Sequence, residues 1–210
     1  SMGCFVHFKR SVPRPPRAMR NVRVRAVPPM RMMVIAVFFG VSFGVMKGLI
    51  APVGDEWIGV RDQLNIIAIA GGALAAFVAM SVYKMDFDHL TYQIALPLMA
   101  AGFLFLPMHE PWNVIGTAVH QFGYQYFYII IWALWALLAR KLDKPVARFA
   151  SLSMMMLMAG QLAGSIAGAQ LVLLADDPYT MAVVAACSVF VILLVSLFAF
   201  ESPFPESGWS

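Results

Sequence analysis

Lys47 is the only charged residue that lies well inside an apolar run of this 210-residue chain. An ammonium in such surroundings is paired, exposed to a water-filled cavity, or snorkelling outward from the end of its helix. Pro52, a few residues on, keeps the last arrangement open. Gly40 and Gly44 fall on the same line of a helix as Lys47, with Ser42 and Phe43 nearby. A second polar group occupies the run that begins at Trp112. There Thr117, Gln121, Tyr124, Gln125, Tyr128 and Trp132 share one face at helical spacing, with His120 beside them. Amide, phenol and imidazole groups on one face can hydrogen-bond a small molecule, or one another across helices. Lys47, Ser42 and Phe43 from the first run, and His120, Gln121, Tyr124, Gln125 and Tyr128 from the fourth, are therefore the candidate ligand-contacting residues.

The same search for catalysis finds little. His109 and Glu110 stand together, as do Asp86, Asp88 and His89, yet neither group forms a spaced acid–base or metal constellation on a rigid helix. Met154, Met155, Met156 and Met158 have no Cys or His at helical spacing and read as fillers of irregular packing gaps. Cys4 and Cys187 lie in such different surroundings that no disulfide is expected. No enzyme, metal or cofactor is expected.

These residues must be positioned by helices in a membrane. Apolar residues make up 61% of the chain and charged residues 12%, with a mean hydropathy of +0.77. Soluble domains are roughly 45–50% apolar and about 25% charged. The formal charge of +4 comes from a basic N-terminal arm, so nucleic-acid binding through this segment is not expected. Met2-Gly3-Cys4 hints at acylation, but His7 stands where that pattern wants Ser or Thr. No signal peptide is expected, because the first apolar run starts only after Arg31 and is long enough to span.

A hydrocarbon core of about 30 Å needs about 20 helical residues. Six such runs are read, near 32–52, 63–83, 90–107, 112–139, 149–175 and 180–200, between a Pro-rich basic arm or linker at 1–31 and a tail at 201–210. Pro52 to Glu56, Lys84 to His89, Pro107 to Pro111, Arg140 to Arg148 and Asp176-Asp177-Pro178 separate them. With the N-terminus inside, the basic arm, Lys84, Arg140, Lys141, Lys144 and Arg148 fall in the cytoplasm, and Arg61 alone among basic loop residues falls outside. Both termini are then cytoplasmic. The arginines at every third position from Arg14 to Arg23 do not read as a voltage sensor, because Pro13, Pro15 and Pro16 interrupt the segment and Pro28 and Pro29 close it. Attraction to anionic lipid and topology-setting explain them.

The runs differ from one another with a period of three. Ala68, Gly72 and Ala76 on the second, with Gly71 and Ala75 adjoining, and Gly160, Gly164 and Gly168 on the fifth, form flat stripes that admit a neighbouring helix closely. That neighbour is another helix of the same unit or part of a second one. The first and fourth runs are the most polar, and the third and sixth the greasiest.

This pattern over residues 32–200 resembles one six-helix half, with a 3+3 inverted repeat, of the major facilitator superfamily. The resemblance implies an all-α polytopic membrane protein whose first and fourth helices line a cavity, whose second and fifth face a second half, and whose third and sixth face lipid. The chain would be the second half, its basic arm the linker. Between the second and third runs, Ser81 to His89 lacks the glycines and closing basic pair of that family's Gly-x-x-x-Asp-x-x-Gly-Arg/Lys loop. Phe43 to Lys47-Gly48, the polar-aromatic fourth run and the Glu201-Ser202-Pro203-Phe204 tail resemble the membrane sensor half of bacterial LuxR-type regulators. That resemblance implies a small-ligand signal-input domain whose helix-turn-helix portion is absent from these residues. A transporter half and a structural subunit without ligand are the other readings; the missing loop motif and the lack of an intramembrane carboxylate favour the sensor. Expected partners are the lipid bilayer, a second six-helix half or another copy of the chain, and an unidentified small molecule.

Overall fold

The computed structural model describes residues 29–50, 55–82, 89–141, 146–174 and 177–200. They form six α-helices: α1 Pro29–Leu49, α2 Asp55–Ser81, α3 Leu96–Leu104, α4 Trp112–Lys141, α5 Val146–Leu174 and α6 Pro178–Phe200, with a π-helical segment, His89–Ala95, leading into α3. There is no strand among the described residues. The basic arm through Pro28, Cys4, Lys84, Lys144 and the tail 201–210 lie outside them, and with them most of the charge asymmetry that sets the expected orientation.

Local chemistry explains most helix ends. Pro29 and Pro178 open α1 and α6, at positions where a missing N–H costs nothing. Asp177 caps α6: its Oδ1 accepts the Thr180 N–H at 2.8 Å. Two boundaries differ from expectation. Asp55 and Glu56 belong to the first turn of α2 rather than to a break, since carboxylates are stabilised at the positive end of a helix dipole. The third run is not one continuous helix over 90–107: it is π-helical to Ala95, α-helical only from Leu96 to Leu104, and then tightens into turns in which Leu106 N–H donates to Phe103 O (3.1 Å) and Met108 N–H to Phe105 O (3.0 Å). Pro97 accounts for the irregular start, because its ring displaces the carbonyl four residues back and it offers no N–H.

Two helices are plainly long and apolar enough to cross a membrane, Glu56–Ser81 with 26 residues and Ala150–Leu174 with 25. Shorter apolar stretches lie at Met33–Leu49, Gln93–Leu104 and Tyr179–Val195.

α1 packs along α5, and α2 along α4; α3 lies against α4 and α6, and α1 touches α4. The α1–α5 seam is backbone against backbone. Gly40, Gly44 and Gly48 oppose Gly160, Gly164 and Gly168, and a Cβ on Gly48 would stand 2.7 Å from Ala169 N and Ser165 O. The Gly160-Gly164-Gly168 stripe is thus covered by α1, a helix of the same unit. Gly72 and Ala76 are buried as well; a Cβ on Gly72 would meet Phe122 O of α4 at 2.6 Å. The core between the seams is aromatic and aliphatic, with Phe39 stacked on Phe127 at 3.5 Å between centroids and Trp135, Met99 and Leu90 fully buried. Large apolar side chains also point outward: Ile66 is 66% exposed on α2, Leu162 65% on α5 and Phe190 64% on α6.

Candidate ligand-binding face

The polar residues of α4 rise along the helix as an aromatic ladder. Tyr124, Tyr128 and Trp132 sit at i, i+4 and i+8, with ring centroids 6.3 and 6.2 Å apart. The neighbouring helices complete the face. Phe43 of α1 stacks on Tyr124 at 4.0 Å and 21°. From α5, Gln161 Nε2 donates to the Tyr124 hydroxyl. The Tyr128 hydroxyl donates to Met154 Sδ at 3.7 Å.

Lys47 closes the ladder at the end of α1. It occupies the last turn, where a cation suits the helix dipole. Its residue is exposed, and Nζ lies 5.5 Å from the Phe43 centroid, within cation–π range. The ion pair among the described residues is Arg61–Asp62 at 3.6 Å, and Lys47 feels both charges at the start of α2 without pairing with Asp62.

Two candidates, Gln125 and Ser42, stand apart from this group, and His120 borders it, its ring centroid 6.4 Å from that of Phe43. His120 is 1% exposed and faces α3: its Nδ1 lies 2.9 Å from Met99 O, and the Phe103 ring meets it edge-on at 4.9 Å. A carbonyl can only accept, so Nδ1 carries the proton and the buried Nε2, which has no hydrogen-bond partner, is an acceptor. Gln125 lies toward α2, its Cβ 3.2 Å from where a Gly72 Cβ would be. Ser42, adjacent to Phe43 in sequence, lines a groove shared with α6. Gln121 is buried, and Thr117 Oγ1 donates to Asn113 O at 2.9 Å within its own helix.

The structure therefore brings together Phe43, Lys47, Tyr124 and Tyr128, with His120 at their edge, and separates them from Ser42 and Gln125. It also adds Gln161, which the sequence reading passed over. The signal was present, since a lone amide between Gly160 and Gly164 is out of place in an apolar helix unless it has a polar partner. Chemically, the half-buried rings of Phe43 and Tyr128, the exposed Trp132 and a cation at one end suit stacking and charge pairing with a flat anionic molecule, while the Tyr124 ring is buried and its hydroxyl is taken by Gln161. A wider, more polar opening lies between α2 and α4, lined by Glu56, Trp57, His109, Glu110 and Asn113. Among the described residues no three His, Cys, Asp or Glu side chains are placed to hold a metal ion. No protein-family model matches the chain, and neither a curated protein nor a solved structure is significantly similar to it.

Proposed function

We propose that the chain is a six-span membrane domain that binds a small, flat, anionic ligand on the α1–α4–α5 face and serves as the signal-input half of a LuxR-type regulator. The observation that carries the binding reading is the continuous group of Lys47, Phe43, Tyr124, Tyr128 and Gln161, in which Lys47 is exposed and Phe43 and Tyr128 are half-buried. Outward-facing Ile66, Leu162 and Phe190 support immersion in lipid, which would leave no apolar surface in water. In this reading the domain sits in a bacterial inner membrane with both termini cytoplasmic, beside a second six-helix half or another copy of itself.

Helix neighbours support the 3+3 inverted arrangement in part. Exchanging α1 with α4, α2 with α5 and α3 with α6 turns the α1–α5 seam into the α4–α2 seam and maps α1–α4 and α3–α6 onto themselves, whereas among the described residues the α3–α4 packing has no α6–α1 packing to match it. The output role rests on the sequence resemblance.

The test uses the full chain in phospholipid vesicles, with cysteine placed at Tyr128 or Trp132 and a water-soluble maleimide as reagent. Both positions are expected to react and to be protected by benzoate, salicylate or indole-3-carboxylate, with Phe43→Ala and Lys47→Gln abolishing protection. Unreactive cysteines, or protection unchanged in those variants, would remove this face as the site. A transporter half is the second reading, favoured by the same neighbour exchange; accumulation of a protecting acid inside vesicles would select it over the sensor.

A further inference from the structure

α6 packs chiefly on α3, and this leaves an open groove beside α1. The groove holds about 370 Å³, and Phe38, Val45, Leu171, Val183 and Val191 give it apolar walls. One polar group in it has nothing to bond. Ser42 lines the groove, is 7% exposed, and its Oγ has no hydrogen-bond partner. Hydroxyls in apolar helices ordinarily satisfy themselves on the carbonyl four residues back, as Ser188 does on the opposite wall (to Val184 O, 2.8 Å) and Thr117 does on α4 (to Asn113 O, 2.9 Å). Ser42 forgoes that bond, and its covered hydroxyl sits unpaired in the groove wall.

We propose that this groove is a binding site for a lipid-soluble small molecule with a carbonyl oxygen, which enters sideways from the hydrocarbon and accepts a hydrogen bond from Ser42. Depth identifies the occupant. At 1.5 Å per residue, Ser42 lies about 5 Å from the midpoint of α1 at Phe39, whereas phospholipid ester oxygens lie at the border of a hydrocarbon core about 30 Å thick. An acyl chain could fill the walls but would bring no oxygen to Ser42. A ketone-type lipophile satisfies both the walls and the hydroxyl. The site is separate from the face that carries Phe43 and Tyr124, and it rests on the proposed membrane placement.

The experiment uses the full chain in phosphatidylcholine vesicles with benzophenone as photolabel, and two competitors of nearly equal shape, fluorenone with a carbonyl and fluorene without one. Labelling is expected on peptides containing residues 38–45 and 183–192, with fluorenone competing about three- to tenfold better than fluorene, the worth of one buried hydrogen bond. Ser42→Ala should remove that difference and Ser42→Thr restore it; the two competitors on the native chain decide the matter even if Ser42→Ala does not fold. Labelling spread evenly over the helices, or equal competition by fluorenone and fluorene, overturns the site. Cys187, which also lines the groove, distinguishes the underlying assumption. Reaction of its thiol with a water-soluble maleimide in sealed vesicles would defeat the membrane placement itself, whereas a protected thiol with failed competition defeats only the site.

Discussion

The α1–α5 and α2–α4 seams are the two long helix pairings among the described residues but are built differently. In the first, glycines on both helices bring backbone against backbone over several turns. In the second, the small residues of α2 face bulky ones on α4: Gly71 lies against the Phe122 ring and Gly72 against Gln125 and the Phe122 backbone. One seam gains its contact from close approach, the other from aromatic filling, and only the helix with bulky residues can also present an aromatic face elsewhere. α4 carries that face on the side away from α2, where Tyr124 is buried against Phe43 and Gln161 and only Trp132 is exposed. α5, committed to α1, contributes only Gln161 and Met154 to it.

Gly164→Leu breaks the comparison most severely. Its Cβ would collide with the Val41 carbonyl and Cα, which are backbone and cannot turn aside. Overpacking costs about 1–3 kcal/mol even where side chains yield, so the expected result is loss of the folded monomer in detergent-exclusion chromatography. An unchanged melt would mean the ladder faces lipid. Gly44→Ala and Gly71→Ala sharpen the point, since they add the same methyl group with opposite consequences. At Gly44 the methyl meets the Gln161 carbonyl and the Ser165 N, and a loss of about 2 kcal/mol is expected. At Gly71 it meets the Phe122 ring edge at 3.1 Å, which can shift. The helix gains about 0.8–1 kcal/mol from replacing glycine, so Gly71→Ala should be neutral or slightly stabilising in thermal melts.

A smaller effect is expected where α5 meets the aromatic ladder. Tyr124→Phe removes the acceptor of Gln161 Nε2 and should cost about 1 kcal/mol, the typical worth of one hydrogen bond. Gln161→Leu alone should cost a similar amount. The double variant should cost clearly less than the sum, because neither polar group is then left unmatched. Additive melting shifts would show that the two side chains do not interact.

Much of this was legible in the residues. The small stripes on the second and fifth runs pointed to close packing, because Gly and Ala at four-residue spacing have one geometrical consequence in a helix. The partner was not legible. Gly40 and Gly44 were read as neighbours of Lys47, although with Gly48 they form the surface that meets α5, since periodicity fixes a face but not what it faces. The same limit explains the site. A helical face at i, i+4 spacing gathered Tyr124, Gln125 and Tyr128 on one side, but the face is wide enough to touch two helices, and Gln125 falls on the α2 edge. Ser42 and Phe43 are adjacent in sequence and so point about 100° apart on a helix, one into the α6 groove and one onto Tyr124. The third run was misread because hydropathy counts Pro97 as one mildly unfavourable residue, whereas sterically it reorganises the turn before it.

A variant outside both seams calibrates these comparisons and has the smallest expected effect. Asp177 caps α6, which belongs to neither seam, and the Thr180 side chain and N–H hold its carboxyl below the usual carboxylate range. Because the folded value is depressed, the cap stabilises the protein above the unfolded carboxylate pKa near 3.8, and that contribution is lost as pH falls through the folded value. Asp177→Asn keeps an acceptor for the Thr180 N–H without a titrating group. Its melting temperature near neutral pH should therefore stay close to that of the native chain, while the part of the acid-side slope due to this residue disappears. Asp177→Ala should lower the melt slightly at neutral pH, remove the same part of the slope, and leave the responses of the Gly44→Ala and Gly71→Ala variants unchanged when combined with them. A combined loss larger than the sum would mean that α6 braces the α1–α5 seam, and the two seams would then differ in what supports them as well as in how they are packed.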